Sequence, residues 1–132
     1  MFGLLLTEMV MPTVLIVDDD SAFRKVLRTI FDQSGGFQSC VEAGTGAEAI
    51  AKTKHLLFNL AVLDFSLPDT NGLQLARELK AIAPEMAIFM LTAGSELEIE
   101  QEALSCGITA VFSKLGDLTT LVTNARAVCG FP

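Results

Sequence analysis

An α/β domain, with parallel strands joined by helical crossovers, is predicted by three features of the 132-residue chain. Apolar runs of four to six residues alternate five times with longer segments of helical period. Turn-forming residues punctuate most of the junctions. Acidic residues close two of the apolar runs, Val14-Leu15-Ile16-Val17 before Asp18-Asp19-Asp20 and Leu60-Ala61-Val62-Leu63 before Asp64. Ligands of an open parallel sheet bind beyond the carboxyl ends of its strands, so acids there make a site, whereas acids within a strand would be buried at a cost.

The elements follow in order. The first strand is expected over residues 13–17, and its helix opens at Asp20 or Ser21 with Phe23, Val26, Leu27, Ile30 and Phe31 on one stripe. Ser34-Gly35-Gly36 ends that helix. The second strand, 37–42, is diluted by Ser39 and Cys40, which suits a sheet edge. A helix over 45–57 carries Thr45 as N-cap and Glu48 three residues on, the capping-box pattern. The third strand, 60–63, is apolar on both faces and therefore central. Asn71-Gly72 precedes a helix over 73–82, stopped by Pro84. A fourth strand over 87–91, a helix over 95–105 ended by Gly107, a fifth strand over 109–112 and a last helix from the cap Asp117 to Val128 complete the pattern.

Composition narrows the function. Half of the residues are apolar, enough for one continuous core. A net charge of -7 argues against binding nucleic acid, which needs Lys and Arg to neutralise phosphates. The three cysteines, Cys40, Cys106 and Cys129, are odd in number and lack metal-ligand spacing; they fit core positions in a reducing, cytoplasmic compartment. The stretch Met1–Leu6 has no basic residue before it or until Arg24, and Thr7-Glu8 interrupts its apolar character, so neither a signal peptide nor a membrane span is expected. Residues 1–11 read as a leader or small docking patch, 12–129 as the one domain, and 130–132 as its end, with no second domain. His55, the sole histidine, reads as a surface residue, and Glu96, Glu98, Glu100 and Glu102 as a solvated helix face that a basic partner would suit.

The strand ends carry the chemistry. Asp18 and Asp19, Asp64, Thr92 and Lys114 fall after strands one, three, four and five, on one edge. Carboxylates about 4 Å apart repel by roughly 4 kcal/mol at an effective dielectric of about 20, so the cluster needs positive charge. Oxygen ligands without His or Cys favour a hard cation, Mg²⁺ first and Mn²⁺ as an alternative, and Lys114 adds a second charge. A cation beside a carboxylate prepares it to meet a phosphoryl group, with Asp64 as nucleophile and Thr92 and Lys114 placed to bond the new phosphate oxygens.

The segments Val14–Asp20, Leu63–Gly72, Met90-Leu91-Thr92-Ala93 and Phe112-Ser113-Lys114 together resemble the receiver domain of two-component response regulators. The resemblance covers residues 12–129. It implies a flavodoxin-like (βα)5 fold, doubly wound, with a five-stranded parallel sheet in the order 2-1-3-4-5 between two helical layers. It implies that Asp64 takes a phosphoryl group from a histidine kinase or histidine phosphotransfer protein. It implies that Asp19, Asp64 and the Ser66 backbone carbonyl bind Mg²⁺, with Asp18 acting through water, and that the surface of the fourth helix, fifth strand and fifth helix switches for a downstream protein. No catalysis beyond its own phosphorylation and dephosphorylation is implied.

Three positions depart from that pattern. Receivers usually carry Pro after the lysine, but this chain reads Lys114-Leu115-Gly116, so a different loop is expected there, with Gly116 allowing a tight turn. The aromatic usual three residues before the lysine is Val111; Phe112 comes one later and should face the other side of the sheet. Ser66, small and polar, leaves room for a water to attack a phosphorylated Asp64. The first two departures also suit a receiver-like interaction module that never takes phosphate. A haloacid-dehalogenase-type phosphatase would need an acid where Ser66 stands, and a flavodoxin would need a Ser/Thr-rich phosphate loop where the three acids stand.

Overall fold

The computed structural model describes residues 11–94 and 97–131. The expected leader, apart from Met11, the helix start expected at Ser95, the acidic residue Glu96 and the terminal Pro132 lie outside the described residues. Five parallel strands, β1 (Thr13–Val17), β2 (Ser39–Ala43), β3 (Leu60–Asp64), β4 (Ala87–Thr92) and β5 (Ala110–Ser113), form one sheet in the order β2-β1-β3-β4-β5. Between them run α1 (Ser21–Ser34), α2 (Gly46–His55), α3 (Gly72–Ile82) and α4 (Leu97–Ser105), and α5 (Leu118–Val128) closes the chain. The architecture is the flavodoxin-like one expected.

Alternation along the strands divides the core in two. Leu15, Val17, Ala61, Leu63, Ile88 and Met90 point to α2, α3 and α4, where they meet Ala49, Leu75, Ala76, Leu79 and Ala103. Val14, Ile16, Leu60, Val62, Phe89 and Leu91 point to α1 and α5 and meet Leu27, Phe31, Leu121 and Ala125. Every residue of β3 is buried, as a central strand with helices on both faces requires. β3 is paired on both sides, with β1 and with β4, and it is the strand that ends in Asp64.

Several boundaries shift for physical reasons. β2 starts at Ser39 rather than Phe37, because the Phe37 ring packs edge-on against Phe31, with centroids 4.9 Å apart, and lies 5.0 Å from Phe131. α2 ends at His55 and leaves Leu56 and Leu57 exposed, short of the expected Leu57. Thr45 caps it through the Glu48 N–H at 3.1 Å, but the Glu48 carboxylate accepts from the Gly44 N–H and so closes no box with Thr45. Val26 is not on the buried stripe of α1: it is 47% exposed, while Leu27, one position on, and Phe31, one turn further, are fully buried. His55, Glu100 and Glu102 are exposed. Asp20, Asn71 and Asp117 cap α1, α3 and α5 by accepting N–H bonds of the first turn.

Candidate functional site

Strand register brings the predicted residues to one rim. Val17 pairs with Leu63 and Leu63 with Met90, so Asp18 and Asp64 stand one step beyond the same row, and Thr92 opposite Ser113 one step further. The Asp18 N–H donates to the Ala43 carbonyl at 3.1 Å, which continues the ladder past β1 and turns its side chain inward. Asp18 and Asp64 are buried, at 1% and 6% exposure, and Asp19 is exposed. One carboxylate oxygen from each of the three lies within 4.8 Å of the others.

Lys114 joins them. Its Nζ lies 2.6 Å from Asp18 Oδ2 and 3.0 Å from Asp64 Oδ2. The contact with Asp18 is an ion pair poorly aligned for hydrogen bonding, and Asp18 Oδ2 is buried without a well-formed donor. Burial pushes the Asp18 carboxyl above the usual carboxylate range, against the pull of Lys114 and the Asp20 N–H, and the Asp64 charge pushes the same way. Burial also works against the Lys114 charge, but the two carboxylates outweigh it and hold the ammonium above the ordinary lysine value. One ammonium thus balances two buried acids with a third beside them.

That imbalance fits a divalent cation. The donors are all oxygen, and one buried oxygen lacks a full partner. The three carboxylate oxygens, all within 4.8 Å of one another, are near enough to share one such ion, whose oxygen ligands lie at about 2.0–2.1 Å.

The loop after β3 is built around Asp64. The Ser66 N–H donates to Asp64 Oδ1 at 3.2 Å, the Phe65 N–H to the Leu91 carbonyl at 2.8 Å, and the Gly72 N–H to the Phe65 carbonyl at 2.7 Å. Gly72 has to be glycine, since a Cβ there would lie 2.9 Å from the Asp64 carbonyl oxygen and 3.1 Å from Phe65 Cα. Ser66 itself is exposed, in keeping with room for water. Thr92 is buried at the rim, but its hydroxyl donates to the Gly94 carbonyl at 2.8 Å rather than toward the acids.

Without Pro after Lys114, the loop is a tight turn in which the Gly116 N–H donates to the Ser113 carbonyl at 3.1 Å and the Leu115 N–H to Ser113 Oγ at 3.1 Å. Gly116 does not use a left-handed conformation there. Lys114 reaches the acids all the same, anchored by its N–H to the Thr92 carbonyl at 2.8 Å. Val111 packs toward the α2–α4 side, and Phe112 packs on Phe89 in the other core half, centroids 5.1 Å apart. The opposite-face expectation holds.

Sequence reasoning missed three contributors. Asp69 accepts the Gly46 and Ala47 N–H groups, each at 2.9 Å, and so ties the Asp64 loop to the start of α2. Arg24 donates to the Asp18 carbonyl at 2.5 Å while pairing with Glu42 at 2.9 Å. The Phe23 ring lies under the Lys114 ammonium, 4.6 Å from it. Apart from the Arg24 bond to Asp18, six residues back, these partners are far apart in sequence, and no local pattern announces them.

Among the described residues no helix is long and apolar enough to cross a membrane. The family model of the response regulator receiver domain matches residues 14–126. A putative transcriptional regulator of Pseudomonas aeruginosa is 33% identical over 118 residues, covering 89% of this chain and 56% of that protein. The chemotaxis protein CheY of Thermotoga maritima is 32% identical over 94 residues, covering 71% of this chain and 78% of that protein. The chain spans about half the length of the first curated relatives it matches. In three dimensions, a CheY-like receiver domain protein of Methanospirillum hungatei superposes with a TM-score of 0.82 at 30% identity, over 89% of this chain and 93% of that one. With the matched residues spanning all five strands and the acid-lysine rim, the chain belongs to the response regulator receiver domain family.

Proposed function

We propose that residues 12–129 are a phosphorylation switch in which Asp64 accepts a phosphoryl group from a phosphohistidine of a histidine kinase or phosphotransfer protein. The observation that carries this reading is the sharing of Lys114 by Asp18 and Asp64, with Asp19 within reach of the same point. In the transfer, an Asp64 oxygen bonds to phosphorus as the bond from phosphorus to the imidazole nitrogen breaks. The electron pair leaves with that nitrogen, which takes a proton from water.

Asp18, Asp19, Asp64 and the Ser66 carbonyl would hold Mg²⁺, or Mn²⁺, with Asp18 acting through water. A bound Mg²⁺ supplies positive charge against the phosphoryl oxygens. Lys114 bonds one of those oxygens, and its two carboxylate contacts already hold the ammonium there. Thr92 releases the Gly94 carbonyl and donates to another, and that exchange links Asp64 to the segment leading into α4. The α4–β5–α5 surface then presents a changed face to a downstream protein. Water attack on phosphorus, through the space beside Ser66, restores the carboxylate.

The domain acts on no substrate besides its own aspartyl phosphate, works in the cytoplasm, and binds neither nucleic acid nor membrane itself. Incubation with acetyl phosphate and Mg²⁺ tests the reading by intact-protein mass. The chain is expected to gain one phosphate, and Asp64→Asn, or addition of a chelator, is expected to abolish the gain. An unchanged mass in the wild type would point instead to an interaction module that never takes phosphate.

A further inference from the structure

The lysine at the rim is a flexible side chain on a weakly guided segment. Its own N–H is fixed to Thr92, but the next side chain, Leu115, is 85% exposed and the turn after it closes on Ser113 alone. Freezing a lysine stem costs rotamer entropy, so its placement needs a cause beyond its backbone. The two carboxylates are part of that cause. One of them, Asp64, changes its charge distribution when it becomes an acyl phosphate, and Lys114 must then change partner while staying in place.

Phe23 supplies a contact that does not change. Its ring centroid is 4.6 Å from Lys114 Nζ, inside the range in which the negative face of an aromatic ring attracts an ammonium. The Phe23 N–H is held by the Asp20 cap at 3.3 Å, and its half-buried side chain packs against the α1–α5 half of the core. The attraction to a ring face is weakly directional, so the ammonium can turn from a carboxylate to a phosphoryl oxygen without losing it.

We infer that Phe23 is a positioning residue for the phosphoryl transfer, holding the Lys114 ammonium over its ring face while that ammonium exchanges Asp64 for the incoming phosphate. The inference rests on Asp64 being the acceptor. Phe23 touches no reacting atom and acts through Lys114.

The test compares Phe23→Leu, which keeps an apolar side chain but removes the π face, with Phe23→Tyr, which keeps the face. Rate constants for phosphorylation by acetyl phosphate are measured with Mg²⁺, alongside thermal melts and the NMR shifts of the Lys114 Hε protons. Phe23→Leu is expected to slow phosphorylation by about two- to fivefold and to remove the ring-current displacement of the Hε protons. Phe23→Tyr is expected to stay within about twofold of wild type and to keep the displacement. A leucine variant as fast as wild type, or equal slowing in both variants, would overturn the inference and leave the phosphorylation reading standing. A wild type that takes no phosphate would sink that reading and this inference with it.

Discussion

The two sides of the rim are built differently. On one side, the loop from Phe65 to Asn71 is bound to elements outside itself: Phe65 to β4 at Leu91, and Asp69 to the first turn of α2, 22 and 23 residues away in sequence. On the other side, the Lys114 N–H ties β5 to the Thr92 carbonyl, but the Thr92 hydroxyl and the turn after Lys114 bond only locally, Thr92 to Gly94 and Gly116 and Leu115 back to Ser113. A segment fixed by distant elements moves only if those elements move, whereas a local turn can exchange its bonds alone. In the proposed phosphoryl transfer, the acceptor Asp64 therefore sits on the fixed side, and the groups proposed to change partner, Thr92 and Lys114, on the adjustable one.

Removing the charge from the adjustable side tests this asymmetry most severely. Lys114→Met leaves Asp18, 1% exposed, and Asp64 facing one another without a cation. Breaking a fully buried pair costs about 3–5 kcal/mol, and the partial exposure of Lys114 reduces this to roughly 2 kcal/mol. Denaturant unfolding in a chelator is expected to show that loss, with part of it recovered on adding Mg²⁺, and the phosphorylation rate is expected to fall by at least about tenfold. Wild-type stability in chelator together with a wild-type rate would mean that Lys114 is incidental to the rim.

A paired substitution of glycines probes the two sides directly. The added methyl of Gly72→Ala would meet the Asp64 carbonyl at 2.9 Å, Met90 Sδ at 3.1 Å and Phe65 Cα at 3.1 Å, contacts that the cross-bound loop cannot relax cheaply. A cost of about 1–3 kcal/mol is expected. In Gly116→Ala the methyl would find its nearest neighbour, the Ser113 carbonyl oxygen, at an ordinary 3.4 Å, so the change should stay within about 0.5 kcal/mol. Equal melting shifts for the two variants would remove the distinction between a fixed and an adjustable side.

How much of this was legible in the sequence depends on the range of each signal. The apolar runs to Val17 and Leu63 are legible because burial on both faces writes a continuous apolar run, and the acids that follow them are legible as rim residues for the same reason, although β3 takes in Asp64 itself. Caps at Asp20, Thr45 and Asp117 are local chemistry and were read from their neighbours. Phe37 was misplaced into β2 because an aromatic in an apolar setting looks the same whether it pairs in a strand or packs on Phe31 and Phe131. Val26 reads like its neighbours Leu27 and Ile30, yet it is 47% exposed where Leu27 is fully buried, a difference set by tertiary packing that the local pattern does not carry. The bond from Thr92 to Gly94 and the placement of Phe23 under Lys114 depend on rotamers and on contacts far along the chain, which no spacing rule carries.

Asp69 offers the finest test of the fixed side. Its carboxylate spans two backbone N–H groups at the start of α2, and those bonds, Gly46 first, hold its pKa below the ordinary aspartate value. A carboxyl whose pKa is lower in the folded than in the unfolded chain contributes stability that is complete above the unfolded value, near about 3.9, and is lost as pH falls through the folded one. Asp69→Asn keeps one acceptor and gives up the second bond and the charge. It should therefore melt below wild type at neutral pH by a small margin that closes as the pH drops under about 4. The same variant should bind Mg²⁺ more weakly, because the loop carrying Ser66 loses part of its tie to α2. Thermal melts across that range and a calorimetric Mg²⁺ titration would check both halves; a margin that stays constant with pH would show that the charge of Asp69 does not hold the loop.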